Sequence, residues 1–168
     1  MRFDQEKLDE MERKLCVIAD LIEGGNEDSC KIIPASEVFE LPTLVVLLPD
    51  DEQDLPRIVM MNIVPMLEVN EYTDFIQLYI EFPYDLSNYE EPELLSVIND
   101  LNRTIPLGHC ITLKNRPDHK YEKMIGMRYM YAISNEREID DGALIEMMIL
   151  FQVSCDAVEM RFFGQNIL

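Results

Sequence analysis

The spacing of apolar residues changes along the chain, and each change marks a predicted element. From Asp4 to Glu23 the apolar residues recur every three or four positions, as on one face of an amphipathic helix that Asp4 is placed to cap. Residues 43–48, 57–67 and 74–82 are instead β-branched or alternate between apolar and polar, which predicts three strands. A second helix is predicted from Pro92 to about Ile105, because proline suits the first turn.

The rest of the chain predicts two strands, at residues 109–114 and 121–133, and a last helix from about Asp140 to Phe162. Residues 26–42 read as a polar connection with a short extended piece near Ile32 and Ile33. The predicted fold is therefore α+β and two-layer, with the element order α-β-β-β-α-β-β-α. Its three helices pack on a largely antiparallel five-stranded sheet. No internal repeat or linker indicates a second domain, so residues 1–168 are predicted as one domain.

The charge excludes several classes of function. The chain has 33 acidic and 14 basic residues, a net charge of -19, while 48% of its residues are hydrophobic, as in a globular protein. Unassisted binding to nucleic acid or to anionic membranes needs a cationic surface, so we expect neither as a partner. The N-terminus lacks the pattern of a signal peptide, and no apolar run approaches the roughly 20 residues of a membrane span. These features predict a cytoplasmic protein.

The charge is also polarised along the chain. Residues 32–102 hold 15 acids and one base, whereas residues 103–137 hold three acids and seven bases. The bases around the predicted hairpin could contact an acidic surface on a partner or a second subunit, or they could neutralise acids of their own chain. The hairpin bases assigned to this contact are Lys114, Arg116, Lys120 and Lys123.

Methionines and tyrosines predict a partner-binding surface on the sheet. The last strand is largely apolar on both faces, so it is either central and well covered, with methionine filling the core, or it presents one face to a partner. Flexible thioethers beside tyrosines suit adaptable peptide binding or dimerisation. The predicted partner-binding residues are Met60, Tyr79, Met127, Tyr129 and Tyr131.

No residue pattern indicates catalysis, a metal or a cofactor. His109 and Cys110 are adjacent on a strand and point to opposite faces, so a buried thiol beside a surface imidazole is expected. His119 lies in the predicted turn without a second ligand. The acidic run from Asp50 to Asp54 begins like a calcium loop but lacks its glycine and its closing glutamate. The four widely spaced cysteines are predicted to be separate reduced thiols.

The C-terminal half carries a resemblance to a known family. The segments LLSVINDLNR, with Asn99 and Asn102, GHCITL, RYMYAIS and EIDDGALIEMMILF resemble the YbjN-like family and, more distantly, class I type III secretion chaperones. The resemblance covers about residues 90–160 by local pattern and the whole chain by element order. It implies a secretion-chaperone-like fold, and the fold relatives are dimeric acidic chaperones that hold extended partner segments. The family itself is linked to regulation of bacterial sensory transduction.

Two classes of function follow from these patterns. The first is a non-enzymatic protein-interaction module, chaperone- or adaptor-like, that forms a homodimer and binds a protein or peptide. The alternative is a small-ligand-sensing regulatory domain. An exposed groove or patch favours the first, and an enclosed cavity with a few convergent polar groups favours the second.

Overall fold

The computed structural model describes residues 3–23, 29–36, 39–48, 57–65, 72–114, 121–134 and 137–162. These residues form three helices and six strands. The helices are α1 (Gln5–Glu23), α2 (Glu91–Thr104) and α3 (Asp141–Phe162), and the strands are β1 (Cys30–Ile33), β2 (Thr43–Leu48), β3 (Arg57–Pro65), β4 (Thr73–Phe82), β5 (His109–Lys114) and β6 (Lys123–Ser134).

The α+β class and the antiparallel sheet are confirmed, and the number of strands is corrected. The strands form one open sheet in the order β1-β2-β3-β4-β6-β5. The prediction of five strands is wrong because residues Cys30–Ile33 pair antiparallel with β2, from Cys30 opposite Val46 to Ile33 opposite Thr43. The short extended piece in the polar connection is therefore a strand of the sheet.

The chain divides into two compact units. The first comprises residues Met1–Ile80 and Met130–Asp141, and the second comprises Glu81–Tyr129 and Gly142–Leu168. Each unit is described by itself below. The single domain over residues 1–168 stays a prediction.

In the first unit α1 covers one face of the sheet, called here the inner face. Asp4 caps the helix as predicted, since its Oδ1 accepts a hydrogen bond from the Lys7 backbone N–H at 2.9 Å. The helix contacts β1, β2 and β3, and the inner-face side chains are almost completely removed from water. They are Leu8, Met11, Leu15, Ile18 and Ala19 on α1, with Leu44, Val46, Val59, Met61, Ile63, Ile76, Leu78 and Ile80 on the strands.

A buried carboxylate ties α1 to the sheet. Asp74, at the start of β4, is only 1% exposed. Lys14 Nζ donates a hydrogen bond to its Oδ2 at 2.8 Å, and Lys7 Nζ lies 3.9 Å from the same oxygen. Glu10 lies between the two lysines and accepts from each at 2.9 Å. Among the described residues, Asp74 Oδ1 has no hydrogen-bond partner. The four charges alternate in sign, which balances the cost of removing Asp74 from water.

In the second unit α2 packs against β5, and one side chain joins them. The Asn102 amide accepts from the Cys110 N–H at 2.6 Å and donates to the Cys110 carbonyl at 3.2 Å. Between these elements Gly108 has a positive φ of 78°, and a Cβ there would lie 3.1 Å from the Arg128 carbonyl oxygen. Glycine is therefore required at this turn.

The helix α3 is held to the second unit by polar and aromatic contacts. The buried Ser154 hydroxyl donates to the Leu150 carbonyl at 2.9 Å and accepts from the Leu107 N–H at 3.1 Å. Near the end of the helix, the Phe162 ring meets the Tyr89 ring edge to face, with centroids 5.7 Å apart. The helix also carries buried apolar side chains, at Leu144, Met147, Phe151, Cys155 and Val158.

Substitution of Lys14 by methionine tests the role of the buried ion pair. We expect Lys14→Met to lower the free energy of unfolding by about 2 to 3 kcal/mol, because it leaves Asp74 buried without its closest cation. Lys31→Met, at an exposed lysine on β1, serves as the control and should stay within about 0.5 kcal/mol of the parent. Urea unfolding at neutral pH gives all three values, and equal losses in the two variants would contradict the role.

The difference between the parent and Lys14→Met should also depend on pH. Hydrogen bonds from Lys7 and Lys14 lower the pKa of Glu10 below 4.5, so its contribution is present above pH 4.5 and is lost as the pH falls. Burial lowers the pKa of Lys14, but the hydrogen bonds to Asp74 and Glu10 outweigh burial and raise it above 10.5. That contribution is present below pH 10.5 and is lost as the pH rises. The largest difference is thus expected between these limits.

Candidate functional site

The opposite side of the first unit's sheet is called here the outer face. It is formed by the alternate residues of β2, β3 and β4 that point away from α1. Leu47 lies opposite Ile58, and Val45, Met60 and Tyr79 form a row across the three strands. The outer face also includes Thr43, Asn62 and Gln77, and the last two lie opposite each other.

Large apolar side chains on the outer face are open to water. Ile58 is 53% exposed and Leu47 is 37% exposed, whereas their strand neighbours Val46 and Val59 are completely buried. Met60 and Tyr79 are half-buried beside this pair. Contiguous exposed apolar residues on a folded protein are typical of an interaction surface.

A pocket lies at one end of the outer face. Its volume is about 250 Å³ and it is open on one side. Before it along the chain, Ser36 and Phe39 are bonded to each other: the Ser36 N–H donates to the Phe39 carbonyl at 2.7 Å, and the Phe39 N–H donates to Ser36 Oγ at 3.1 Å. The lining combines apolar and polar side chains: Phe39, Glu40, Leu41, Thr43, Met60, Asn62, Gln77 and Tyr79.

Asn62 fixes the segment that precedes β2 against β3. Its Nδ2 donates to the Pro42 carbonyl at 3.0 Å and to Thr43 Oγ1 at 2.8 Å, and the Thr43 hydroxyl donates to the Leu41 carbonyl at 3.2 Å. The amide oxygen of Asn62 is left without a partner among the described residues, and so are the side chains of Gln77 and Glu40. The pocket therefore presents polar groups that can form hydrogen bonds with a bound ligand.

The structure brings together two of the five predicted partner-binding residues. Met60 and Tyr79 are direct cross-strand neighbours on the outer face. Met127 is corrected, because it pairs with Cys110 in the second unit and its side chain is completely buried. Tyr129 and Tyr131 follow Met127 on the same side of β6 and are half-buried. In the sheet β6 is an interior strand, between β4 and the edge strand β5.

Two of the four predicted hairpin bases are described, and both are bonded within the second unit. Lys114 forms an ion pair with Glu91 at the start of α2, and Lys123 Nζ donates to the Tyr89 carbonyl at 2.7 Å. The Lys114 ion pair favours charge compensation within the chain, whereas the Lys123 bond is to a neutral carbonyl. Arg116, Lys120, His119 and the acidic run from Asp50 to Asp54 lie outside the described residues.

The pair His109 and Cys110 has the arrangement expected from the sequence. The His109 side chain is exposed, whereas Cys110 is only 3% exposed. Burial raises the pKa of the Cys110 thiol to about 12, so the thiolate that a nucleophile requires is not formed near neutral pH. Within the described residues, no group of three or more His, Cys, Asp or Glu side chains is placed to hold a metal ion.

The helix α3 carries a second exposed apolar surface that the sequence prediction missed. One side of the helix is buried, at Leu144, Phe151, Cys155 and Val158, but the opposite side carries apolar residues as well. The signal that could have found this surface is the number of apolar residues outside the buried side of the helix, although Glu146 and Asp156 interrupt them. The exposed side chains are Ile145, Ile149, Leu150, Val153 and Met160, and they are called here the α3 surface.

Comparisons of the chain with protein-family models, curated proteins and solved structures found no match. The similarity to the YbjN-like family and to secretion chaperones therefore stays a prediction.

None of the helices in the described residues is both long and apolar enough to cross a bilayer.

Thiol labelling tests the assignment of Cys110 as an inert core residue. With a disulfide reagent at pH 8, exposed Cys16 should react fastest and half-buried Cys30 more slowly, because burial raises its pKa. Buried Cys110 and Cys155 should react only after unfolding in urea. The Cys16→Ser variant identifies the fast phase, and rapid labelling of Cys110 in the folded protein would contradict the assignment.

Proposed function

We propose that the chain is a non-enzymatic protein-interaction module, chaperone- or adaptor-like, that binds an extended segment of a partner protein across the outer face. One observation carries the proposal. The exposed pair Leu47 and Ile58 continues through Met60 and Tyr79 into an open pocket. The resemblance to the YbjN-like family adds the expectation of a role in bacterial regulation.

The dimensions of the outer face suit an extended segment. From Ile58 to Asn62 the face follows β3 for four residue steps, about 13 Å at the rise of a strand. A partner segment of about five extended residues covers that distance. Its alternate side chains would reach the apolar pair at one end and the pocket at the other.

Charge favours a partner segment that is basic as well as apolar. Residues 32–102, which include the outer-face strands β2 to β4, hold 15 acids and a single base. Opposite charge on the partner accelerates encounter and selects against acidic segments. The effect is screened by salt, so binding should weaken as ionic strength rises.

The small-ligand-sensing alternative receives less support from the pocket. Sites for small ligands are typically enclosed and of about 300–1,000 Å³. The outer-face pocket is open and holds about 250 Å³. Its size and shape suit one side chain of a longer bound segment.

We also propose that a second copy of the chain covers the α3 surface. An exposed apolar helix face of several turns costs free energy in water, and a twofold dimer covers the same face on both copies with one contact. This arrangement agrees with the homodimer expected from the sequence.

Peptide binding tests the outer face. A short fluorescent peptide that alternates valine and lysine should bind, whereas one that alternates valine and glutamate should bind at least about tenfold more weakly. Ile58→Glu should weaken the binding of the valine-lysine peptide by about tenfold, because it places a charge in the apolar pair. Fluorescence anisotropy measures both effects.

The control for Ile58→Glu is Val17→Glu on α1. The two parent residues are similarly exposed, at 53% and 50%, and the change in charge is the same. Val17→Glu should leave the affinity within about twofold of the parent. Equal losses in both variants, or no binding of either peptide, would contradict the proposal.

Sedimentation equilibrium tests the α3 surface. The parent is expected to be a dimer at micromolar concentrations, and Ile149→Glu, at a side chain 56% exposed, should be a monomer because the charge would be buried in the contact. Leu95→Glu on α2, where leucine is 43% exposed, should remain a dimer. A monomeric parent, or an Ile149→Glu dimer, would exclude this interface.

A further inference from the structure

The pocket on the outer face combines aromatic walls with hydrogen-bond acceptors, and this combination can select one type of side chain in the bound segment. Its walls are apolar and include the Phe39 and Tyr79 rings. Its polar groups are Glu40, Thr43, Asn62 and Gln77. The inference rests on the proposed binding of an extended segment at this face.

The polar groups of the pocket offer more acceptors than donors. The Asn62 amide donates its two hydrogens to the Pro42 carbonyl and to Thr43 Oγ1, and the Thr43 hydroxyl donates to the Leu41 carbonyl. The oxygen of Asn62 and the carboxylate of Glu40 can therefore only accept. Gln77 keeps two donors together with an acceptor oxygen, and the described residues provide its side chain with no partner. The Tyr79 hydroxyl adds one more donor to the lining.

An apolar or acidic side chain of a bound segment would fit this pocket poorly. An apolar side chain would cover the half-buried Gln77 amide without replacing its hydrogen bonds to water. It would also leave the exposed Glu40 carboxylate at the pocket without a cation. An acidic side chain would meet the Glu40 carboxylate directly. The pocket instead requires a group that is rich in donors, positively charged and flat enough to lie against an aromatic ring.

We propose that the outer-face pocket binds the guanidinium group of an arginine in the partner segment. A guanidinium has five N–H donors in one plane and no acceptor, so it can serve Glu40, Asn62 and Gln77 together. Its flat surface also stacks on aromatic rings such as Tyr79 and Phe39. A lysine carries the same charge but neither the planar donors nor the stacking surface.

Peptides that differ only at one central position test the inference. The peptide alternates valine and lysine, and the central residue is arginine, lysine, citrulline or norleucine. We expect the arginine peptide to bind about five- to tenfold more tightly than the lysine peptide. The two peptides share all other contacts, and only the guanidinium adds a bidentate charged contact. Citrulline keeps much of the planar donor set without the charge and should lie between arginine and norleucine.

Variants of the pocket locate the preference. Glu40→Gln and Gln77→Met should each reduce the preference for arginine over norleucine by at least about threefold. Glu138→Gln makes the same charge change at an exposed glutamate outside the pocket and should leave the preference unchanged. Ile58→Glu should weaken all four peptides equally. Circular dichroism of each variant confirms that it is folded before its affinity is compared.

The outcomes separate this inference from the proposed function. If the arginine and norleucine peptides bind equally well, the pocket does not select arginine, while binding at the outer face stands. A preference for arginine that survives both Glu40→Gln and Gln77→Met would also overturn the inference. If none of the peptides binds, the proposed function fails and the inference fails with it.

Discussion

The contact between Lys14 and Asp74 ties α1 to the first unit's sheet. A carboxylate that is 1% exposed at the start of β4 requires a cation on the inner face of the sheet. In the structure α1 supplies that cation, and the apolar stripe of α1 lies on the same face. The polar contact and the apolar packing therefore specify the same covered side. The outer face, on the other side of these strands, carries the exposed Leu47 and Ile58.

The difference between the covered inner face and the exposed outer face is visible within the single strand β3. Met60 and Met61 are neighbours of identical chemistry, yet Met61 is completely buried under α1 whereas Met60 faces the pocket. Because strand side chains alternate, a change of pairing by one residue would exchange their environments. The alternation also places Asn62, an amide that would be costly under the helix, where it holds the segment before β2.

The sequence predicted most of the helices and strands, but it did not predict which face of the sheet is covered and which is exposed. The helices and five of the strands have clear periods or strong β-formers, but β1 has only four residues, CKII, and no alternation to recognise. The apolar run TLVVLL in β2 and the run in β3 do not reveal which side is covered. Leu47 and Ile58 were therefore overlooked as surface residues.

The candidate site was predicted only where strand pairing agrees with residue type. Met60 and Tyr79 were predicted from residue type alone, and their pairing across two strands places them together, while their role in binding stays a prediction. Met127 has the same character, but its pairing with Cys110 places it in a core. The pocket depends on the packing of residues 39–43 against β3, a long-range contact that no local pattern specifies.

The Asn102 amide has a consequence for how the protein can assemble. The last strand of the sheet, β5, is an edge, and edges are templates on which strands of other molecules can add. At Cys110 the amide occupies both the donor and the acceptor that such a strand would use. The side chain thus replaces one peptide group of a missing neighbour. At this position a strand from another molecule would find no free peptide group to pair with.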